Sequence, residues 1–71
     1  MHFQELVTNT FTHNRNSYRV TAFRGGKLEV YKNEDGLEMF QGYLHQVNID
    51  LAEAAYDAFH QAKGQLMLRW A

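Results

Sequence analysis

Cysteine and proline are both missing from this chain of 71 residues, and serine occurs once, at Ser17. Without cysteine there is no disulfide framework, no thiolate zinc or iron–sulfur site and no cysteine nucleophile. Long apolar runs are missing too. The longest are three residues, Ala54-Ala55-Tyr56 and Leu66-Met67-Leu68, whereas an export signal needs roughly 7–15 apolar residues and a membrane span roughly 20. Neither is expected, no membrane partner follows, and a cytoplasmic location is the default expectation. None of the five asparagines opens an Asn-x-Ser/Thr acceptor.

What is present suits one small globular domain over residues 1–71. The chain is 45% hydrophobic and 14% aromatic, with a net charge of -1. Ten spread aromatics and a low net charge are the reverse of a disordered composition. A chain this short buries only about 60% of its unfolded surface, so it has no material for a second core.

The clearest local pattern is central. Ser17–Arg24 (SYRVTAFR) and Lys27–Lys32 (KLEVYK) are rich in β-branched and aromatic residues and are separated by Gly25-Gly26. Such a pair supplies the positive φ angles that a tight hairpin needs. Asn33-Glu34-Asp35-Gly36 is a second turn cluster, and Leu37–Leu44 can return as another antiparallel strand, with Gly42 marking a bulge or an early end. Asp50 reads as a helix cap with Glu53 three residues on, and Leu51, Ala55, Ala58, Phe59 and Ala62 then fall on one stripe. Gly64 reads as a stop, after which Leu66, Leu68 and Trp70 alternate as an edge strand would; continuation of the helix is the competing reading. In the first twelve residues Phe3, Leu6, Val7, Thr10 and Phe11 fit a helical template, while Thr8, Thr10 and Thr12 favour extended structure. The expected class is therefore α+β: an antiparallel sheet of three or four strands built on a hairpin over about 17–32, a helix over about 51–63 packed on one face, and room for an N-terminal helix.

The sequence offers little catalytic chemistry. Ser17 stands between Asn14-Arg15-Asn16 and a strand, with no nucleophile elbow around it, and reads as a turn or strand-start serine. The four histidines, at 2, 13, 45 and 60, show no metal-ligand spacing, so neither metal nor cofactor is expected. Asp57 and His60 lie three apart on one helix face and could form a general-base pair. An ordinary solvated ion pair fits the same spacing better. Glu34-Asp35 and Glu38 read as turn chemistry and solvation. An enzyme is the weakest expectation.

Net charge conceals an asymmetry. Residues 1–32 carry five basic side chains (Arg15, Arg19, Arg24, Lys27, Lys32) against Glu5 and Glu29, for +3; residues 33–71 carry Lys63 and Arg69 against six acids, for -4. Side chains alternate along a strand, which puts Tyr18, Val20 and Ala22 with Leu28 and Val30 on the core face. Arg19, Thr21 and Phe23 with Glu29 and Tyr31 then share the opposite face. That face suits a protein partner or a second copy, because Tyr, Phe and Arg are common interface anchors. The blandest reading is that the N-terminal segment covers it. The first expectation is a non-catalytic interaction protein acting through a sheet face or edge, as a homo-oligomer or with another protein, using Arg19, Phe23, Tyr31, Arg69 and Trp70. The alternative is a nucleic-acid module using Arg15, Arg19, Arg24, Lys27 and Lys32.

Overall fold

A computed structural model describes residues 5–23 and 27–70, and the side chains of residues 7–23 and 27–64. Four strands and one helix follow in chain order: β1 (Glu5–His13), β2 (Asn16–Phe23), β3 (Leu28–Glu34), β4 (Leu37–Tyr43) and α1 (Ile49–Trp70). The strands form one antiparallel meander in the order β1-β2-β3-β4. The expected α+β class is what the chain adopts.

The turn residues set this topology. Asn14 and Arg15 join β1 to β2 with φ of 49° and 67°, and Asp35 and Gly36 join β3 to β4 with φ of 52° and 81°. Two successive positive φ angles make the tight primed turns whose twist matches the flanking strands. The hairpin expected over about 17–32 is present as the β2–β3 ladder, with Val20 opposite Val30 and Ala22 opposite Leu28. Its Gly25-Gly26 turn lies outside the described residues.

Three expectations are corrected. Over Glu5–His13 the chain is a strand rather than an N-terminal helix. Val7 and Phe11 are four apart, an even number that satisfies a strand face as well as a helical turn, and the alternating threonines decide for the strand. Residues 5–13 lie beside β2, with Phe11 packed on the core under the helix, while Phe3 and the Leu6 side chain lie outside the described residues. The helix cap is Asn48, whose Oδ1 accepts the Asp50 N–H at 2.9 Å, while its carbonyl accepts the Ala52 N–H at 2.8 Å. Asp50 is instead a first-turn acid, favourable beside the helix dipole. Finally, residues 65–70 continue α1 past Gly64 and form no edge strand. A helical glycine costs about 1 kcal/mol, and Gln65, Leu66, Met67, Leu68 and Arg69 after it are good helix formers.

The core lies between α1 and one sheet face. Tyr18, Val20, Ala22 and Val30 are buried there under Leu51, Ala55 and Ala58, flanked by Phe11, Leu28, Leu44, Val47 and Phe59. Alanines at the contact let the helix backbone approach the strands, and Asn9 Nδ2 donates to the Ala58 carbonyl at 2.8 Å. The helix packs on β1 and β2. On β4, Leu37 and Met39 remain 70% and 50% exposed.

Burial predicts a contrast between two apolar truncations. Val30→Ala removes methyl groups from a fully buried site and lowers unfolding free energy by about 2 kcal/mol. Leu37→Ala changes it by less than about 0.5 kcal/mol. Urea denaturation followed by circular dichroism measures both; equal losses contradict the placement of the core.

Candidate functional site

The sheet face turned away from α1 carries most of the unusual side-chain chemistry. Register puts Arg19 opposite Tyr31 and Tyr31 opposite Phe40, so three strands contribute to one transverse row. The row extends because β4 carries a bulge. Val30 pairs with Gly42 and Tyr31 with Phe40, leaving Gln41 as the extra residue, and Gly42 holds φ of 136°. A Cβ at Gly42 would come within 3.3 Å of the Gln46 Cβ, so the bulge needs glycine on both conformational and spatial grounds. Its effect is to bring Tyr43, three residues after Phe40, back to the same face, where it pairs with Glu29.

The resulting contacts are continuous. The rings of Tyr31 and Phe40 are 5.4 Å apart, those of Phe40 and Tyr43 are 5.7 Å apart, and Tyr43 and His45 stack at 6.1 Å. A cation sits over the ring at each end: Arg19 Cζ is 4.8 Å from the Tyr31 centroid and Lys27 Nζ is 5.2 Å from the Tyr43 centroid. Phe40, in the middle of the row, is 51% exposed. No described element packs on this face.

Its charges are mostly matched within the chain. Arg19 Nε donates to Glu38 Oε2 at 2.5 Å and Nη2 to Glu38 Oε1 at 3.3 Å, a forked pair, while Nη1 reaches Thr8 Oγ1 at 3.2 Å. The Tyr31 hydroxyl donates to Glu29 Oε1 at 3.0 Å. Burial, then the hydrogen bond and charge of Glu29, hold the Tyr31 hydroxyl above its ordinary pKa of 10.0. The Arg19–Glu38 pair also joins the basic and acidic halves of the chain, so the asymmetry seen along the sequence is interleaved in the fold.

The expected binding residues are divided. Arg19 and Tyr31 meet, and Phe23 shares their side of β2 by alternation, half-buried. Arg69 and Trp70 lie in the last turn of α1, and their side chains are outside the described residues. Among the residues of the nucleic-acid alternative, Arg15 occupies the first turn, Arg24 lies outside the described residues and Lys27 stands over Tyr43. Lys32 projects to the helix side, 3.9 Å from Glu34. Among the described cations, Arg19 and Lys27 lie over the aromatic row and Lys32 lies on the other face. Sequence reasoning missed Glu38, Phe40 and Tyr43; alternation from the Asp35-Gly36 turn would have placed Glu38 and Phe40, whereas Tyr43 joins them only through the bulge in the β3–β4 pairing.

Compared with known protein families, curated proteins and solved structures, the chain matches none. The site must be judged by its chemistry alone. His60 packs edge-on against Tyr56, with ring centroids 4.4 Å apart, and both His60 and Asp57 are exposed. Ser17 is exposed where β2 begins. Among the described residues no group of three His, Asp or Glu side chains could hold a metal ion, and no helix is long and apolar enough to cross a membrane. Two open depressions of about 390 and 370 Å³ meet at Leu44 and Ala52, beside the N-terminal half of α1.

The Tyr31–Glu29 contact gives a pH prediction. A tyrosine whose folded pKa is raised favours the folded state below its unfolded pKa, and that contribution is lost as pH rises through the folded value. In an absorbance titration near 295 nm, Tyr31 ionises above its ordinary value of 10.0. Glu29→Gln moves it back toward 10.0 and Tyr31→Phe removes it. Unchanged titration in both variants contradicts the contact.

Proposed function

We propose that the protein is a small non-catalytic interaction domain that binds another protein through the sheet face bearing Arg19, Tyr31, Phe40 and Tyr43. The observation that carries this reading is the half-exposed Phe40 ring at the centre of a continuous aromatic row. Large aromatics bury much apolar area at low conformational cost, which makes them frequent anchors at interface centres. The matched charges support a protein in preference to a phosphate backbone. Glu38 occupies the Arg19 guanidinium and Glu29 adds a carboxylate, so a tracking polyanion would meet acids along the same face. A pre-positioned Arg19 with a polar surround favours a neutral, mixed protein surface.

One feature favours a second reading. Aromatic rows on a sheet can stack unpaired bases, and Lys27 over Tyr43 supplies a cation at one end. The two readings separate by salt. A single-stranded oligonucleotide held by phosphate contacts loses affinity steeply as salt rises, whereas a protein docked on Phe40 does so far less.

Photo-cross-linking in the native host tests the proposal directly. A benzophenone side chain placed at Phe40 should yield a discrete protein adduct that a second change, Tyr43→Ala, reduces by at least about tenfold. The same group at Glu53, on the exposed side of α1, should yield none. Adducts to nucleic acid alone, or equal adducts from both positions, contradict the protein-binding reading.

A further inference from the structure

A different surface, the free edge of β1, carries an inference independent of the aromatic face. The two-residue turn Asn14-Arg15 makes His13 and Asn16 a hydrogen-bonded pair. Alternation along the ladder then turns the backbone N–H and C=O of Thr12, Thr10 and Thr8 away from β2. All three threonines are exposed, and no described side chain caps their backbone groups. The other edge is protected differently: β4 is interrupted by its bulge, and the Tyr43 N–H is taken by Gln46 Oε1 at 3.0 Å. The β1 edge has a register shift only between Glu5 and Val7 and is regular over Val7–His13, and long regular edges are the ones that recruit another strand.

The occupant the geometry favours is a second copy of the chain. Antiparallel pairing about a two-fold axis at Thr10 sets Thr10 opposite itself and Thr8 opposite Thr12, so every outward group gains a partner. Edge pairing alone falls short of the roughly 800 Å² per partner that a stable interface needs, against 5622 Å² for the whole chain. The helix supplies the remainder. Because α1 lies over β1 and β2, strands spaced about 4.8 Å apart put the two helix axes roughly 10 Å apart across the two-fold, the ordinary packing distance of helices. The side of α1 turned outward there is opposite Ala52 and Tyr56, which border the depression at Leu44. It presents Ala54, small enough to allow that approach, and Gln61, an exposed uncharged side chain. We propose that the chain forms a two-fold dimer by β1–β1 pairing, giving an eight-stranded sheet with two antiparallel helices on one side and both aromatic faces on the other.

Light scattering on the full chain should give twice 8.3 kDa, falling toward the monomer on dilution. Thr10→Pro removes the donor at the axis while leaving the β1–β2 bonds intact, so it should give a monomer with an unchanged circular dichroism spectrum. Because the chain has no cysteine, Thr10→Cys also provides a unique attachment point. A short bis-maleimide should couple two copies through it and should fail through Gln41→Cys, which keeps the test decisive if the proline variant does not fold. Phe40→Ala should leave the mass unchanged. A monomer at every concentration overturns the proposal, as does coupling through position 41 in place of position 10. Loss of the dimer in Phe40→Ala also overturns it and would assign self-association to the aromatic face.

Discussion

The fold depends on one asymmetric contact: a single helix seated by alanines on the β1–β2 half of a four-stranded sheet. Ala55 and Ala58 bring α1 close to the strands, Leu51 fills the space beside Val20 and Val30, and Asn9 ties the helix backbone to β1. One helix cannot cover two sheet faces. Among the described residues no element covers the face opposite the helix, on which Thr21 is nonetheless fully buried, and β4 keeps Leu37, Met39 and Phe40 exposed. That division leaves apolar side chains of β4 exposed in a small domain that has little apolar surface to spare.

The open face is organised mainly by the bulge at Gly42. Without the extra residue in β4, Tyr43 would point toward the helix side and the row would end at Phe40. The forked Arg19–Glu38 contact aligns the opposite end of the row. Both side chains are partly exposed, at 24% and 45%, and surface pairs of this kind contribute about 0–1 kcal/mol. Its consequence is therefore orientation, since it holds the guanidinium over Tyr31, more than stability. Among the described residues the face is thus nearly neutral, with Arg19 and Lys27 set against Glu29 and Glu38.

The elements readable from sequence were those whose period was unambiguous. Alternation in 17–32 gave the hairpin and its buried set, and the spacing of Leu51, Ala55, Ala58 and Ala62 gave the helix. β1 was obscured because Val7 and Phe11, four apart, fit both periods, and the alternating threonines and pairing with β2 together resolve them. The helix end was obscured because Gly64 is a common stop signal whose cost of about 1 kcal/mol is smaller than the gain from good helix formers on either side. The site was half legible. Arg19, Phe23 and Tyr31 follow from alternation along β2 and β3, whereas Phe40 and Tyr43 share their face through a register shift that is defined only once β3 and β4 pair. Their company with Lys27, and the separation of Arg19 from Lys32, are tertiary facts.

The most direct test of the one-sided architecture is paramagnetic relaxation by a soluble gadolinium chelate, read on side-chain protons of the chain diluted to its monomeric state. The ring protons of Phe40 should relax strongly, while the methyl groups of Val20, Val30, Leu51 and Ala55 stay shielded. A shielded Phe40 ring in the monomer would contradict the account, because it would mean that the chain covers its own aromatic face and has no surface of this kind to offer a partner.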